Sequence, residues 1–124
     1  MKNKISSELL KGSLKPIILK LLKEQSRMYG YEITQRVEEL SEGKIMLTYG
    51  ALYPILHKLE NDGIVITEQE IVNNRTRVYY KLTPKGSKKS VEKINEMEAF
   101  INTLGLLFKP SPKIGLCNTW QANK

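Results

Sequence analysis

Two stretches of the chain concentrate side chains able to do chemistry. The first carries Thr48, Tyr49, Gly50, Tyr53, His57 and Lys58; the second carries Asn73, Asn74, Arg75 and Arg77. Hydroxyls, amides and long cations in this mixture suit a phosphate-bearing polyanion, because cations find phosphates without demanding geometry. Gly50 adds a place where backbone could approach a phosphate closely. Nothing in the chain suits catalysis. It has no phosphate-cradling glycine loop, no nucleophile elbow, no metal-ligand cluster and no carboxylate pair at a plausible site. Glu38 and Glu39 are adjacent on a helical stretch and point different ways. His57 is the only histidine, which excludes a metal site built from several imidazoles. The expectation is a non-enzyme without catalytic residues, metal or cofactor.

Bulk properties agree with a polyanionic partner. Lysine and arginine number 20 against 13 aspartates and glutamates, a formal charge of +7. Such a balance favours nucleic acid or an anionic membrane surface. The 124 residues amount to one domain with a modest core. Cys117 is the single cysteine and cannot close an intramolecular disulfide, so a reducing cytosol is expected. Near the N-terminus, Lys11, Lys15 and Lys20 interrupt the apolar patch, which therefore reads neither as a signal segment nor as a spanning helix. A cytoplasmic protein with no membrane partner is the expectation.

The elements that must position these residues follow from periodicity. Leu10, Leu14, Ile17, Ile18, Leu21 and Leu22 recur at helical steps. Pro16 is tolerated only in a first turn, so this helix either starts near Ser13 or runs from about Ser6 and bends. Residues 27–30 break the pattern. A second helix follows over 31–40, with Ile33, Val37 and Leu40 on one side and Gly43 as its left-handed cap. Thr48 can cap a third helix to about Asn61, with Leu52, Ile55, Leu56 and Leu59 inward and Pro54 inside it. Residues 64–71 and 75–82 are β-branched and aromatic, and Asn73-Asn74 between them suits a tight turn: a two-stranded hairpin. The last helix is expected over 87–108. Its Ile94, Met97, Ile101, Leu104 and Phe108 alternate three- and four-residue steps, a heptad seam that favours pairing with a second copy. The tail beyond it, with Cys117 and Trp120, has no periodicity.

Helix, helix, helix, hairpin is a winged helix-turn-helix order, in which the third helix can enter a major groove about 12 Å wide while the hairpin reaches neighbouring phosphates. The fold class expected is mainly α with a small β-hairpin (α+β). The DNA-binding domain covers 1–86, a dimerisation helix 87–108 and an irregular tail 109–124. At this point the chain resembles the PadR family of bacterial winged-helix repressors, in its short subclass with one C-terminal helix. Three segments carry the resemblance in family order: Tyr29-Gly30-Tyr31-Glu32-Ile33, the stretch from Tyr49-Gly50-Ala51-Leu52-Tyr53-Pro54 to Leu59-Glu60-Asn61-Asp62-Gly63-Ile64, and Arg77-Val78-Tyr79-Tyr80-Lys81-Leu82-Thr83-Pro84-Lys85-Gly86. The resemblance implies a homodimer on a two-fold symmetric operator in double-stranded DNA, usually repressing its own or a neighbouring gene. For some members it implies release by small aromatic or cationic compounds, held by an aromatic residue on the last helix; this chain departs from that pattern, with Met97 near the position and no aromatic.

Several roles stay open on residues alone. Tyr53 reads equally as DNA contact or core packing, and His57 more as a surface residue than a base reader. Arg77 either reaches DNA or pairs with Glu68 or Glu70 across the hairpin. A small-molecule sensor is a second reading, with an apolar effector cavity at the dimer centre lined by Leu14, Met97 and Phe100. A third is a protein-interaction adaptor on a winged-helix scaffold with weak or lost DNA binding.

Overall fold

The N-terminal apolar stripe folds as two helices with a break between them. In the computed structural model, which describes residues 4–109, α1 is Ser7–Leu10 and α2 is Leu14–Glu24. Gly12, at φ +92°, makes the break. Ser6 caps α1 by accepting from the Leu9 N–H at 3.3 Å. Pro16 falls in the first turn of α2, where its missing N–H has no intrahelical partner to lose. This helix buries Ile18, Leu19, Leu21 and Leu22.

Residues 27–30, read above as a break, contain a strand. This strand, β1 (Met28–Tyr29), pairs antiparallel with β3, Met28 opposite Tyr80 and Tyr29 opposite Tyr79. The hairpin strands are β2 (Val65–Val72) and β3 (Arg75–Leu82), so the sheet is three-stranded in the order β1-β3-β2 rather than a lone hairpin. Two residues are too few to show an alternation, which is why the sequence pattern conceals β1. The turn is as expected: Asn73 and Asn74 are both left-handed, at φ 53° and 64°.

Helix α3 (Gly30–Leu40) follows β1 without a linker, and Glu32 accepts from the Tyr29 N–H at 3.1 Å. Ile33 and Val37 are buried, but Leu40 is exposed, contrary to the stripe assigned to it. Gly43 is left-handed, as expected, and so is Glu42 before it. The Gly43 N–H closes the end on the Glu38 carbonyl at 2.8 Å. Helix α4 (Tyr49–Asn61) starts at its Thr48 cap, whose Oγ1 accepts from the Ala51 N–H at 3.2 Å. Leu52, Leu56 and Leu59 are buried and Ile55 half-buried, and the helix continues through Pro54. At its end Gly63 donates to Glu60, and Ile64 to Leu59.

The last helix, α5 (Pro84–Leu107), begins three residues before the Ser87 expected of it. Pro84 is its first helical residue, not a spacer, and Thr83 Oγ1 caps it by accepting from the Gly86 N–H at 2.9 Å. A boundary between 86 and 87 therefore falls inside a helix. The expectations for 110–124, Cys117 and Trp120 included, lie outside the described residues. The first half of α5 packs on α2 and on the start of the wing. Gly86 has no room for a side chain there: a Cβ would stand 1.8 Å from the Ile64 carbonyl oxygen. Ser90, fully buried one turn on, donates to the Gly86 carbonyl at 2.8 Å. Among the described residues no helix is long and apolar enough to cross a membrane.

Gly86 is thus the point where α5 is pressed against the wing's root. Gly86→Ala should lower stability by about 2 kcal/mol through overpacking, read as a lower urea midpoint. An unchanged midpoint would show that this contact relaxes freely.

Candidate nucleic-acid interface

The first turn of α4 faces β3 across the start of α3, leaving an open groove of 860 Å³. Tyr49, Tyr53, Asn73, Arg75 and Arg77 line it, joined by Tyr29, Tyr31, Thr76 and Tyr80, which the sequence reading did not single out. The structure thus brings part of both candidate stretches to one place. Thr48, Gly50, His57, Lys58 and Asn74 lie exposed outside it, on α4 or at the wing tip.

Tyr53 has a packing role. Its hydroxyl lies over Gly30, where an added Cβ would sit 2.3 Å from the oxygen, and its ring lies 5.7 Å from Tyr49 and 6.2 Å from His57. Tyr80 forms the groove floor, and burial pushes its phenol above the ordinary range. Lys58 pairs with Asp62 at 3.3 Å, an exposed intrahelical contact worth a few tenths of a kcal/mol at about the level of other such pairs. A competing phosphate can displace it.

Of the two readings left open for Arg77, the cross-strand ion pair does not form. Arg77 pairs with neither Glu68 nor Glu70. Its guanidinium lies 4.1 Å over the Tyr29 ring, and Nη1 donates to the Tyr79 hydroxyl at 3.4 Å. Both glutamates are held by Arg27, a residue the sequence reading missed. Arg27 Nη1 meets Glu68 at 3.1 Å, Nη2 meets Glu70, and the guanidinium stacks 3.8 Å over Tyr79. Lys81 reaches the other oxygen of Glu68 at 3.1 Å. Tyr29 and Tyr79 meet edge to face at 5.4 Å. The exposed sheet face therefore carries one ladder, Arg27 on Tyr79, Tyr79 on Tyr29, Tyr29 under Arg77. No local sequence pattern signals it, since its members come from two separate strands and a loop. Among the described residues, neither Arg75 nor Arg77 stands within ion-pairing distance of a carboxylate.

Among the described residues, the second half of α5 presents a largely exposed apolar face. Ile94, Met97 and Leu104 are half-buried, while Phe100, Ile101 and Phe108 are exposed, Phe108 by 76%. A second cavity, 460 Å³, lies between the N-terminal helices and α5, lined by Leu9, Lys11, Lys15, Pro16, Lys93, Glu96, Met97 and Phe100 among others. Leu14, assigned to an effector cavity with Met97 and Phe100, does not line it and packs against the core. Among the described residues no group of three His, Cys, Asp or Glu side chains is placed to hold a metal.

Comparison with known proteins gives a family and a fold. The model of the transcriptional regulator PadR-like family matches residues 18–92. The transcriptional regulator Rv3488 of Mycobacterium tuberculosis is 41% identical over 61 residues, which are 49% of this chain and only 54% of that protein. Among solved structures, a transcriptional regulator from Clostridium thermocellum is similar at 28% identity and a TM-score of 0.71, covering 80% of this chain and 96% of its own. A PadR family transcriptional regulator from Eggerthella lenta is similar at 27% identity and a TM-score of 0.66, covering 82% and 86% respectively.

The ladder has a pH signature. Lys81 first, then Arg27, hold the Glu68 carboxyl below its ordinary value of 4.5. A depressed carboxylate contributes its stabilisation fully above that ordinary value and loses it as pH falls through the lower folded one. A carbon-detected NMR titration of Glu68 should give a midpoint below 4.5, raised by Lys81→Met. A midpoint at or above the ordinary value, insensitive to Lys81, would contradict the pairing.

Proposed function

We propose that this chain, which belongs to the PadR-like family of transcriptional regulators, acts as a homodimeric, ligand-responsive repressor that grips operator DNA in the groove between α4 and the wing. The observation that carries this reading is the convergence of Tyr49, Asn73, Arg75 and Arg77 on one open groove, with neither arginine in an ion pair among the described residues. In this arrangement α4 enters the major groove by its first turns, offering Tyr49, His57 and Lys58 to base edges and phosphates. The backbone of the adjacent strand runs between α4 and the wing, against Arg75 and Arg77.

The dimer rests on the apolar face of α5. Ile101 and Phe108 lie on a length of helix whose outer apolar side chains stay exposed among the described residues. A second copy laid along it would bury this face and set two α4 helices on successive major-groove faces of a symmetric site. Ligand response rests on the second cavity. Lys11, Lys15 and Lys93 around Phe100 favour an aromatic compound with a negative charge over a cationic one. A ligand seated between the N-terminal helices and α5 would change the angle between the two α4 helices, and so release DNA.

Phosphate contacts should make affinity fall steeply with salt. In fluorescence anisotropy with duplexes from the chain's own upstream region, Arg75→Ala should weaken binding to every sequence by a similar factor. It should also flatten the log–log salt slope by about 0.9, one phosphate contact. A slope unchanged by Arg75→Ala, or binding that ignores salt, would contradict the assignment. Ile101→Glu should convert the dimer to monomer in sedimentation and abolish high-affinity binding. A dimer that survives it would move the interface elsewhere.

A further inference from the structure

The cross-strand register places Glu70 directly opposite Arg77 and Glu68 opposite Tyr79. Directly opposed side chains share one face of the sheet and have Cβ atoms about 5 Å apart. Glu70 and Arg77 are therefore natural partners. Left alone, they would form the ordinary cross-strand ion pair, and the arginine that lines the groove would be neutralised by its own wing. The structure shows another arrangement. Arg27, from the loop before β1, takes both carboxylates with the two arms of its fork and stacks its plane on Tyr79. Arg77 turns instead over Tyr29 and holds only the Tyr79 hydroxyl.

We infer that Arg27 is a positioning residue for DNA binding, which keeps Glu70 away from Arg77 so that the Arg77 guanidinium remains available to phosphate. The inference rests on the reading of the groove as the DNA site and adds to it how one of its cations is kept out of an ion pair. Three features make the capture effective. The fork of Arg27 engages two acids together, which a single opposed pair cannot match. Lys81 fixes the second oxygen of Glu68, so that carboxylate stays in the Arg27 fork. The stack Arg27–Tyr79–Tyr29–Arg77 holds both guanidinium planes apart on separate rings. Arg77 keeps N–H groups that no carboxylate among the described residues occupies, which is the state a phosphate contact needs.

The prediction separates capture from simple bracing. Arg27→Ala, Glu70→Gln, the double variant and Arg77→Ala are compared with wild type. The readouts are anisotropy on a labelled duplex from the upstream region, thermal unfolding, and NMR of the Arg77 guanidinium without DNA. Arg27→Ala should lower affinity nearly as far as Arg77→Ala and flatten the salt slope by about 0.9. Its Arg77 signals should show slowed guanidinium rotation from pairing with Glu70. Adding Glu70→Gln should return affinity to within about threefold of wild type and free the Arg77 signals, although Arg27 is still absent. Weak binding in Arg27→Ala that Glu70→Gln does not restore, or Arg77 signals unchanged by Arg27→Ala, overturns the inference. Wild-type protein that binds no duplex would sink the DNA reading alone, because the NMR arm decides the capture of Glu70 without DNA.

Discussion

Met28 and Tyr29 hold the wing to the body of the molecule. A two-stranded hairpin on its own is marginal and could swing about its root, whereas the pairing of these two residues with β3 adds a third strand whose other end runs straight into α3. Met28 is fully buried under the sheet, and Tyr29 both opens α3 and packs on Tyr79. The angle between wing and α4 is thereby fixed through α3, against which α4 packs. Everything assigned to the groove depends on that angle. If the wing were free, Arg75 and Arg77 would be cations on a tether rather than one wall of a site.

The same sheet has two faces with different tasks. Val65, Tyr80 and Met28 close the core, while the opposite face carries Arg27, Glu68, Glu70, Arg77 and Lys81 around two tyrosines. Helix α5 likewise divides along its length. Its first turns are locked to the wing's root at Gly86 and Ser90, and its later turns expose Phe100, Ile101 and Phe108. One rigid helix therefore links the root of each wing to the surface proposed to join two copies, so a change in how two copies pack would be transmitted to both wings.

What the sequence made legible was local. Thr48 capping α4, Gly63 stopping it, and Asn73-Asn74 turning the hairpin are each decided by a few residues whose backbone preferences leave little choice. The heptad steps of α5 were legible for the same reason. Less visible were features made by partners distant in the chain. β1 exists because β3 is there to pair with it, not because Met28 and Tyr29 favour a strand. Arg27 enters the ladder through Glu68 and Glu70, some forty positions away, and of the two readings left open for Arg77 the cross-strand pair does not form because that fork holds both carboxylates. The start of α5 was expected three residues late, although proline is a good first helical residue. The candidate site was half legible: the residue types and both stretches were found, but not the tyrosines that bring them together.

The central claim is that two copies of this chain place two α4 helices and two wings on one symmetric stretch of DNA. Hydroxyl-radical footprinting of the wild-type protein on its own upstream region tests it most directly. The account predicts two protected patches whose centres lie one helical turn, about 34 Å, or a whole multiple of it apart on one face of the duplex, each with added backbone protection on the wing side. A single patch, or even, non-saturating protection along the whole fragment, would contradict it.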